Sequence, residues 1–458
     1  MAAMSERIQQ DERAPHVPAI DAPIATTIRD AIYDRIPLSQ PELALMDTAA
    51  FRRLERIQQL GFVSRIWPGA RHVRADHSLG VLHLTRLAVE HLRSLPNGRW
   101  IRTDDARVIV AAALLHDIGH YPFSHAIEEL GPPIAPHETV GRRIIEGPEI
   151  APILRDLWEI DPARVAAVID PAGEPLPEPD RILRGLLSGP LDMDKLDYLP
   201  RDARACNVPY GGVDTARLID ALTIADVPVE RGDAELRVVI GEKGISPLHS
   251  LINARQEMFD NVYWHHTNRA CMVMLLRATQ EALLAGALTA DELVAHDDAS
   301  LLSLLASDRM PTPSQRLARA LRERRIHKRA VEIGSRAFEL YARLGNLFFD
   351  PAARRAVELR LSAGLSDELG IEAPPEAVLI DIPKPERWRT DVWVMFERPP
   401  IGFAPLMPWR DVVGLTDDDF KRYEEHRRLI RIVAAAPYRD ILAASWERLL
   451  MPLLGAAL

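Results

Sequence analysis

Cysteine is almost absent. Cys206 and Cys271 are the only two in 458 residues. No disulfide framework can be built from them, so a reducing cytoplasm is the expected setting. Long apolar runs are missing too. No stretch approaches the roughly 20 residues that a membrane-spanning helix needs. Residues 1–13 are polar and charged and lack the apolar segment of a signal peptide. Positive charge is not in excess: 56 Lys and Arg against 66 Asp and Glu leave a net charge of −10. That argues against a general nucleic-acid-coating surface and leaves only local basic patches open. Internal repeats and coiled-coil heptads are not found. The chain is nonetheless 47% hydrophobic, ample for a sizeable core, and its length suggests two or three domains.

Residues 1–25, with Pro15, Pro18 and Pro23 among polar residues, read as an arm or strap. A strand and turn are expected between Ile28 and Pro37, and helical spacing from Gln40 to Leu60, with Pro41 suited to a first turn and Gly61 to a stop. After the Trp67-Pro68-Gly69 turn, a helix should run to about Leu95. Asp104 or Thr103 should cap the next helix, and residues 126–190 read as helices with Pro-rich breaks. Ala234–Ile240 reads as a strand and Pro247–Ala285 as one long amphipathic helix. Pro311 and Pro313 mark a candidate boundary. Beyond them, Val378–Ile382 and Val392–Phe396 read as strands, and Asp417–Ala435 and Tyr438–Leu450 as helices.

The chain is organised around Leu114-Leu115-His116-Asp117-Ile118-Gly119-His120-Tyr121-Pro122-Phe123-Ser124-His125. The apolar run Val108–Leu115 delivers an adjacent imidazole and carboxylate, which are costly to desolvate unless something pairs with them. A divalent cation is the expected partner. His77, His116, Asp117 and Asp194 together form a His-His-Asp-Asp set. Two nitrogens and two oxygens leave open positions on an octahedral ion. This suits Mn, Fe, Co, Ni or Mg better than a closed structural Zn site, although Zn stays within the range. Open positions matter because a bound water can drop in pKa from about 16 towards 7. Taken singly, any one of these residues would read as a core or surface side chain.

These residues resemble the HD superfamily of metal-dependent phosphohydrolases. Within it, the chain is similar to the HD-domain deoxynucleoside triphosphate (dNTP) triphosphohydrolases. The shared text runs from Asp47-Thr48…Phe51-Arg52-Arg53-Leu54 and Gln59-Leu60-Gly61 through Pro68-Gly69-Ala70…Arg74…His77-Ser78-Leu79-Gly80-Val81. It continues with Leu115-His116-Asp117-Ile118-Gly119-His120…Pro122-Phe123-Ser124-His125, His137-Glu138 and Asp194-Lys195-Leu196-Asp197-Tyr198…Arg201-Asp202. The resemblance implies a mostly α fold: an HD-domain helical core with small β-hairpin elements and a C-terminal α+β lobe. The expected divisions are an arm at 1–27, a catalytic domain at 28–310 and a C-terminal region at 311–458.

The implied reaction is hydrolysis of a dNTP to a deoxynucleoside and inorganic triphosphate, with water attacking the α-phosphorus. His125 is the candidate general acid, and Glu128, at helical spacing from it, the residue that orients its ring. His120, His137 and Glu138 would complete the polar pocket. A cationic clamp is expected from Arg74 and Lys195, beside metal ligands, and from Arg255. Tyr198 and Tyr263 match the family's sugar-packing residues, and Gln59, Leu60 and Asp202 match those at the sugar edge. A homo-oligomer, dimer or tetramer, is also implied.

The match departs from the family at Phe259, where a polar, His-type residue is expected, and at Glu55, which reverses the charge of an activator-binding Arg. Asp47, Arg324 and Lys328 resemble other parts of that activator site. The basic run Arg322–Arg329 suits a nucleotide, a nucleic acid, a subunit or plain solvent. Two other readings stay open. One is a different HD phosphohydrolase: a nucleotidase, phosphodiesterase or nuclease. The other is a nucleotide-sensing protein without turnover.

Overall fold

The apolar spacing after Val73 becomes a helix of 21 residues, Arg74–Ser94, in a computed structural model of the chain. The structure describes residues 22–229, 233–370, 372–384, 391–416, 418–419 and 428–456. The first 21 residues of the expected arm thus lie outside the described residues. Ile24–Asp30 (β1) and Asp34–Ser39 (β2) form the expected hairpin, paired antiparallel.

The Arg74–Ser94 helix packs on Thr103–Leu115. Val81, Leu82, Ala88 and Val89 on one and Ile109, Val110, Ala113 and Leu114 on the other are fully buried. Each large side chain here contributes about 1.5–3 kcal/mol of hydrophobic stabilisation. The expected cap at Asp104 or Thr103 is not used. Arg102 is the N-cap residue, and its N–H donates to Asp105. The expected helical stretch from Gln40 is two short helices, Gln40–Met46 and Ala49–Leu54, because Thr48 caps a new start through the N–H of Phe51.

The fold is mostly α, with short helices between residues 125 and 184 broken by prolines as expected. Leu222–Val227 (β3) and Glu235–Gly241 (β4) make an antiparallel pair. The single long helix expected over Pro247–Ala285 is instead two, Ile245–Met258 and His266–Leu284, separated by a wider turn at Phe259–Tyr263. Trp264 then donates its N–H to Phe259, and the Asn268 side chain takes the carbonyl of Tyr263. That carbonyl is therefore diverted from the regular helical ladder.

Lys328–Ile333 (β5) and Val378–Asp381 (β6) lie on either side of Ile430–Ala434 (β9) in an antiparallel sheet. The helix expected over 417–435 is thus corrected at its end. All five residues of β9 are buried between two strands, and a short buried apolar run cannot be told from a helix by periodicity. Residues 417 and 420–427 lie outside the described residues. Trp393–Met395 (β7) and Leu406–Pro408 (β8) extend the β3-β4 pair, β7 pairing parallel to β4. The chain past 311 therefore returns to pack on elements that precede it. Thr312–Arg322 also shares a core with His266–Leu284, through Leu317, Ala318 and Leu321 against Met274 and Leu275.

Three apolar cores result: one under the Arg74–Ser94 helix, one around His266–Leu284, and one beneath the β5-β9-β6 sheet. Among the described residues no helix is long and apolar enough to cross a membrane.

Candidate metal centre and substrate cavity

His116 stands at the C-terminus of the Thr103–Leu115 helix, and the chain then leaves the helix through Gly119. A Cβ at Gly119 would overlap the carbonyl of His137, so glycine allows this turn to press against the next helix. The carbonyls of Ile118 and His120 are held by the buried guanidinium of Arg53 at 3.2 and 2.6 Å.

The Nδ1 of His116 is 2.8 Å from the carbonyl oxygen of Ala113. A carbonyl only accepts, so Nδ1 carries the proton and Nε2 carries a lone pair. This Nε2 is buried with no hydrogen-bond partner. It faces Asp117 Oδ1 at 3.3 Å and Asp194 Oδ1 at 3.9 Å. His77 is likewise oriented through its Nδ1. Its Nδ1 donates to Asp197 Oδ2 at 2.7 Å, and its Nε2 lies 2.9 Å from Asp194 Oδ1. Donor atoms of His77, His116 and Asp194 all fall within 4.8 Å of one another. Two imidazoles with carboxylates around one point suit a divalent cation, which would replace the proton that His77 Nε2 shares with Asp194. Burial disfavours a charged His77, yet its hydrogen bonds to Asp194 and Asp197 lift it to about 10. Asp194 is held down at about 2: burial raises it, and the His77 hydrogen bond more than offsets this.

Asp117, the fourth expected ligand, faces the same space but is already engaged. Its Oδ2 accepts from Arg74 Nη1 at 2.5 Å and its Oδ1 from His120 Nε2 at 3.1 Å. Burial raises its pKa, while Arg74, His116 and His120 pull it well below the usual carboxylate range.

Sequence reasoning left Asp197 without a role. It sits one turn after Asp194 on the Met193–Cys206 helix, capped by Asp192. Arg201 grips both its oxygens at 2.9 Å, and the Tyr33 hydroxyl donates to it at 2.8 Å. Gly80 lets it approach, since a Cβ there would overlap its carboxylate. The signal was present in the three- and four-residue spacing of Asp194, Asp197 and Arg201, which puts them on one helix face.

A second group gathers beside the first. His120, His125, Glu128 and His137 each bring a donor atom within 4.8 Å of the others. His120 stacks on His137 with ring centroids 3.7 Å apart. Burial, with Arg74 and His137 nearby, keeps His120 neutral. Glu128 was expected to orient His125, but that separation is 3.7 Å, while His137 Nδ1 lies 2.9 Å from Glu128 Oε1. Burial lowers the His137 pKa, and Glu128 raises it by more. His125 itself is 67% exposed.

The segment before His125 is strained. Phe123 and Ser124 have φ of 58° and 59°, at a cost of about 1–3 kcal/mol each. Two contacts hold it: Asp298 Oδ1 accepts the Phe123 N–H at 2.7 Å, and Arg74 Nε donates to Ser124 Oγ at 2.9 Å. Asp298 Oδ2 also accepts the Gln58 N–H at 3.0 Å. At the other end, Glu129 pairs with buried Arg269, which also binds Asp381 on β6.

A cavity of about 1270 Å³ opens against Asp194, and its wall carries Gln59, Leu60, Arg74, His125, Glu128 and Glu138. Lys195, Tyr198, Asp202, Arg255, Phe259 and Tyr263 line it too. His120 and His137, expected in the pocket, stand behind the wall and are buried. Lys195 is not a free cation: its Nζ donates to Asp192 at 2.6 Å and to the Gly189 carbonyl at 2.8 Å. Arg255 lies over the Phe259 ring at 4.9 Å. Of the activator-like residues, Asp47 pairs with Arg52 at 2.6 Å, Arg324 donates to the Arg65 carbonyl, and Glu55 and Lys328 are exposed.

A helical core with two His and an Asp converging on one point defines a class. Residues 74–183 match the profile of the HD domain and residues 213–397 that of the HD associated region. The chain thus carries an HD domain followed by an HD associated region. More particularly, it is 27% identical over 282 residues to the deoxynucleoside triphosphate triphosphohydrolase SAMHD1 of Homo sapiens, covering 56% of this chain and 44% of that one.

Two less characterised relatives are nearer in sequence. The uncharacterized protein MJ1154 of Methanocaldococcus jannaschii is 31% identical over 61% of this chain and 54% of its own. The uncharacterized protein YwfO of Bacillus subtilis is 35% identical over 52% of this chain and 51% of its own. The chain thus spans about half the length of the curated relatives it matches. The crystal structure of a hypothetical protein from Aquifex aeolicus shares the fold, with a TM-score of 0.66 and 24% identity over 92% of this chain and 99% of that one.

Proposed function

We propose that the protein hydrolyses deoxynucleoside triphosphates to a deoxynucleoside and inorganic triphosphate, water attacking the α-phosphorus. The observation that carries this reading is the cavity itself. It reaches Asp194 of the His77–His116–Asp194 cluster and carries Tyr198, Tyr263, Asp202, Arg74 and Arg255 on the same wall. His77, His116 and Asp194 would hold a divalent cation, with Asp117 as the fourth ligand if it gives up a contact. When bound, the cation supplies positive charge for the α-phosphate and lowers the pKa of water.

The protein's own groups do the rest. Arg74 is fixed by Asp117 and Ser124, so its charge is oriented before substrate arrives. His125, exposed at the cavity wall, would give a proton to the departing 5′-oxygen. The Glu128–His137 ion pair steadies the helix that carries it. Tyr198 and Tyr263, whose rings meet at a steep angle with centroids 6.4 Å apart, both line the cavity and would pack against the sugar. The buried free thiols of Cys206 and Cys271 fit a reducing cytoplasm.

A turnover screen decides the matter. Purified protein loaded in turn with Mn, Mg, Fe, Co, Ni or Zn is incubated with dNTPs, NTPs, nucleoside monophosphates, cyclic nucleotides and nucleic acid. Release of inorganic triphosphate from dNTPs is expected. Cleavage of another class of phosphate ester, with dNTPs left intact by metal-loaded protein, would replace this reading with a different HD phosphohydrolase. Tight dNTP binding without release would make the protein a nucleotide sensor.

A further inference from the structure

We propose that His120, His125, Glu128 and His137 form a second divalent-cation site, of zinc type, separate from the His77–His116–Asp194 cluster. Three imidazoles converge there on one atom. The Nδ1 nitrogens of His137, His125 and His120 lie 2.9, 3.7 and 3.8 Å from Glu128 Oε1. Four ligands placed tetrahedrally around zinc, each at roughly 2.1 Å, stand about 3.4 Å from one another. The observed separations straddle that value. The backbone builds the arrangement: Gly119 lies against the backbone of His137 and Gly141, so the His120 and His137 rings stack 15° from parallel. His125 stands steeply to both, at 82° and 71°, on the open side from which an ion can enter.

One nitrogen shows that the group is incomplete. His120 Nε2 is 3.1 Å from Asp117 Oδ1. A carboxylate only accepts, so Nε2 carries the proton and Nδ1 the lone pair. The ring is 1% exposed, and its Nδ1 is buried without a hydrogen-bond partner. A closed hydrogen-bonded cluster would give it a donor. Glu128 Oε1, which it faces, is an acceptor already met by His137 Nδ1. A cation at the centre satisfies all four ligands at once and takes the place of the proton between His137 and Glu128. Glu138 Oε2, 3.4 Å from His137 Nδ1, adds negative charge beside it.

The His120 ring also keeps the two sites apart. Its Nε2 faces Asp117 and its Nδ1 faces Glu128, so no carboxylate is shared between two ions. The preferred metals differ too. Three imidazoles and one carboxylate suit Zn, whereas Mn and Mg favour oxygen ligands and fill the first cluster alone. Occupancy has a consequence that rests on the dNTP reading above, with His125 as the acid. An ion on His125 Nδ1 leaves the ring only a neutral N–H, a far weaker acid than an imidazolium. Zinc here therefore arrests turnover without displacing the ion at the first cluster.

The test begins with metal binding, which does not depend on turnover. Metal-free wild-type protein should take up two zinc ions per chain. Cobalt(II) reports geometry, because a tetrahedral ion absorbs visible light far more intensely than an octahedral one. Glu128→Gln and His137→Gln should each lose one equivalent of zinc and the intense cobalt band. His77→Gln, which disrupts the first cluster, should keep that band, and it carries the test should the other two fail to fold. A single zinc in the wild type, or a band that survives Glu128→Gln and vanishes in His77→Gln, would overturn the site. In protein held in excess Mn, added zinc should slow dNTP hydrolysis by about a hundredfold or more with the Mn retained. Full turnover with the second site filled would overturn the arrest. Two zinc ions bound by a protein that cleaves no dNTP would uphold the site and remove only the functional reading.

Discussion

Asp197 Oδ2 accepts the Nδ1 proton of His77 at 2.7 Å, and neither group touches bulk solvent. The bond fixes which imidazole nitrogen turns towards Asp194. Tyr33, from the turn between β1 and β2, and Arg201 hold Asp197 in turn. The β-hairpin at the start of the described chain thus reaches the His77–His116–Asp194 cluster through one carboxylate.

Asp197→Asn should weaken divalent-metal affinity by about 10–100-fold while leaving His77, His116 and Asp194 in place. Titration calorimetry with Mn or Co measures this. Wild-type affinity in the variant would show that Asp197 only packs.

The charge on His77 gives a pH dependence. Its pKa is lifted from 6.5 to about 10. A raised imidazole pKa means that its stabilising contribution is complete below pH 6.5 and is lost as pH rises through 10. Metal-stripped protein should therefore melt at progressively lower temperature across that interval. The same proton must leave before Nε2 can bind a cation, and Asp194 stays ionised throughout. Metal affinity should rise with pH over the same span, by up to about tenfold per unit. An affinity independent of pH between 7 and 9 would contradict this assignment.

His125 stands apart from the three clustered donors and is exposed. His125→Ala should keep full metal stoichiometry and lose about 10²–10⁴-fold in turnover. Elemental analysis beside a steady-state assay separates the two effects. An unchanged rate would remove His125 as the acid.

Asp298 ties down the Phe123 and Gln58 backbones, in two segments whose Phe123 and Gln59 line the cavity. Asp298→Ala would leave two partly or fully buried N–H groups without partners beside two left-handed residues. We expect a loss of about 3 kcal/mol or more in urea unfolding, together with lower turnover at unchanged metal content. Full stability would mean that water replaces the carboxylate.

Periodicity and local chemistry determined a good deal. The spacing of Val81, Leu82, Ala88 and Val89 made the Arg74–Ser94 helix legible, and the apolar run before His116 did the same for its neighbour. The β-branched stretches at β4, β6 and β7 also read correctly, because local preference and burial agree there. The adjacency of His116 and Asp117 nominated the site, since an imidazole and a carboxylate at the end of an apolar helix are costly to desolvate without a partner.

Tertiary structure decided the rest. The continuous amphipathic pattern through Tyr263 gave no sign of a break. The break comes from Asn268 capturing a carbonyl and from Asp202, remote in sequence, binding the Tyr263 hydroxyl. β9 is a strand because β5 and β6 offer it a slot, which no property of Ile430–Ala434 alone reveals. The engagement of Asp117 by Arg74, the closer pairing of Glu128 with His137, and the hydrogen bond between His72 and Asp202 are contacts that sequence order does not set. Sequence spacing can nominate such residues, but only packing sets which oxygen faces which nitrogen, because hydrogen-bond energy depends on tenths of an ångström that the order of residues does not encode.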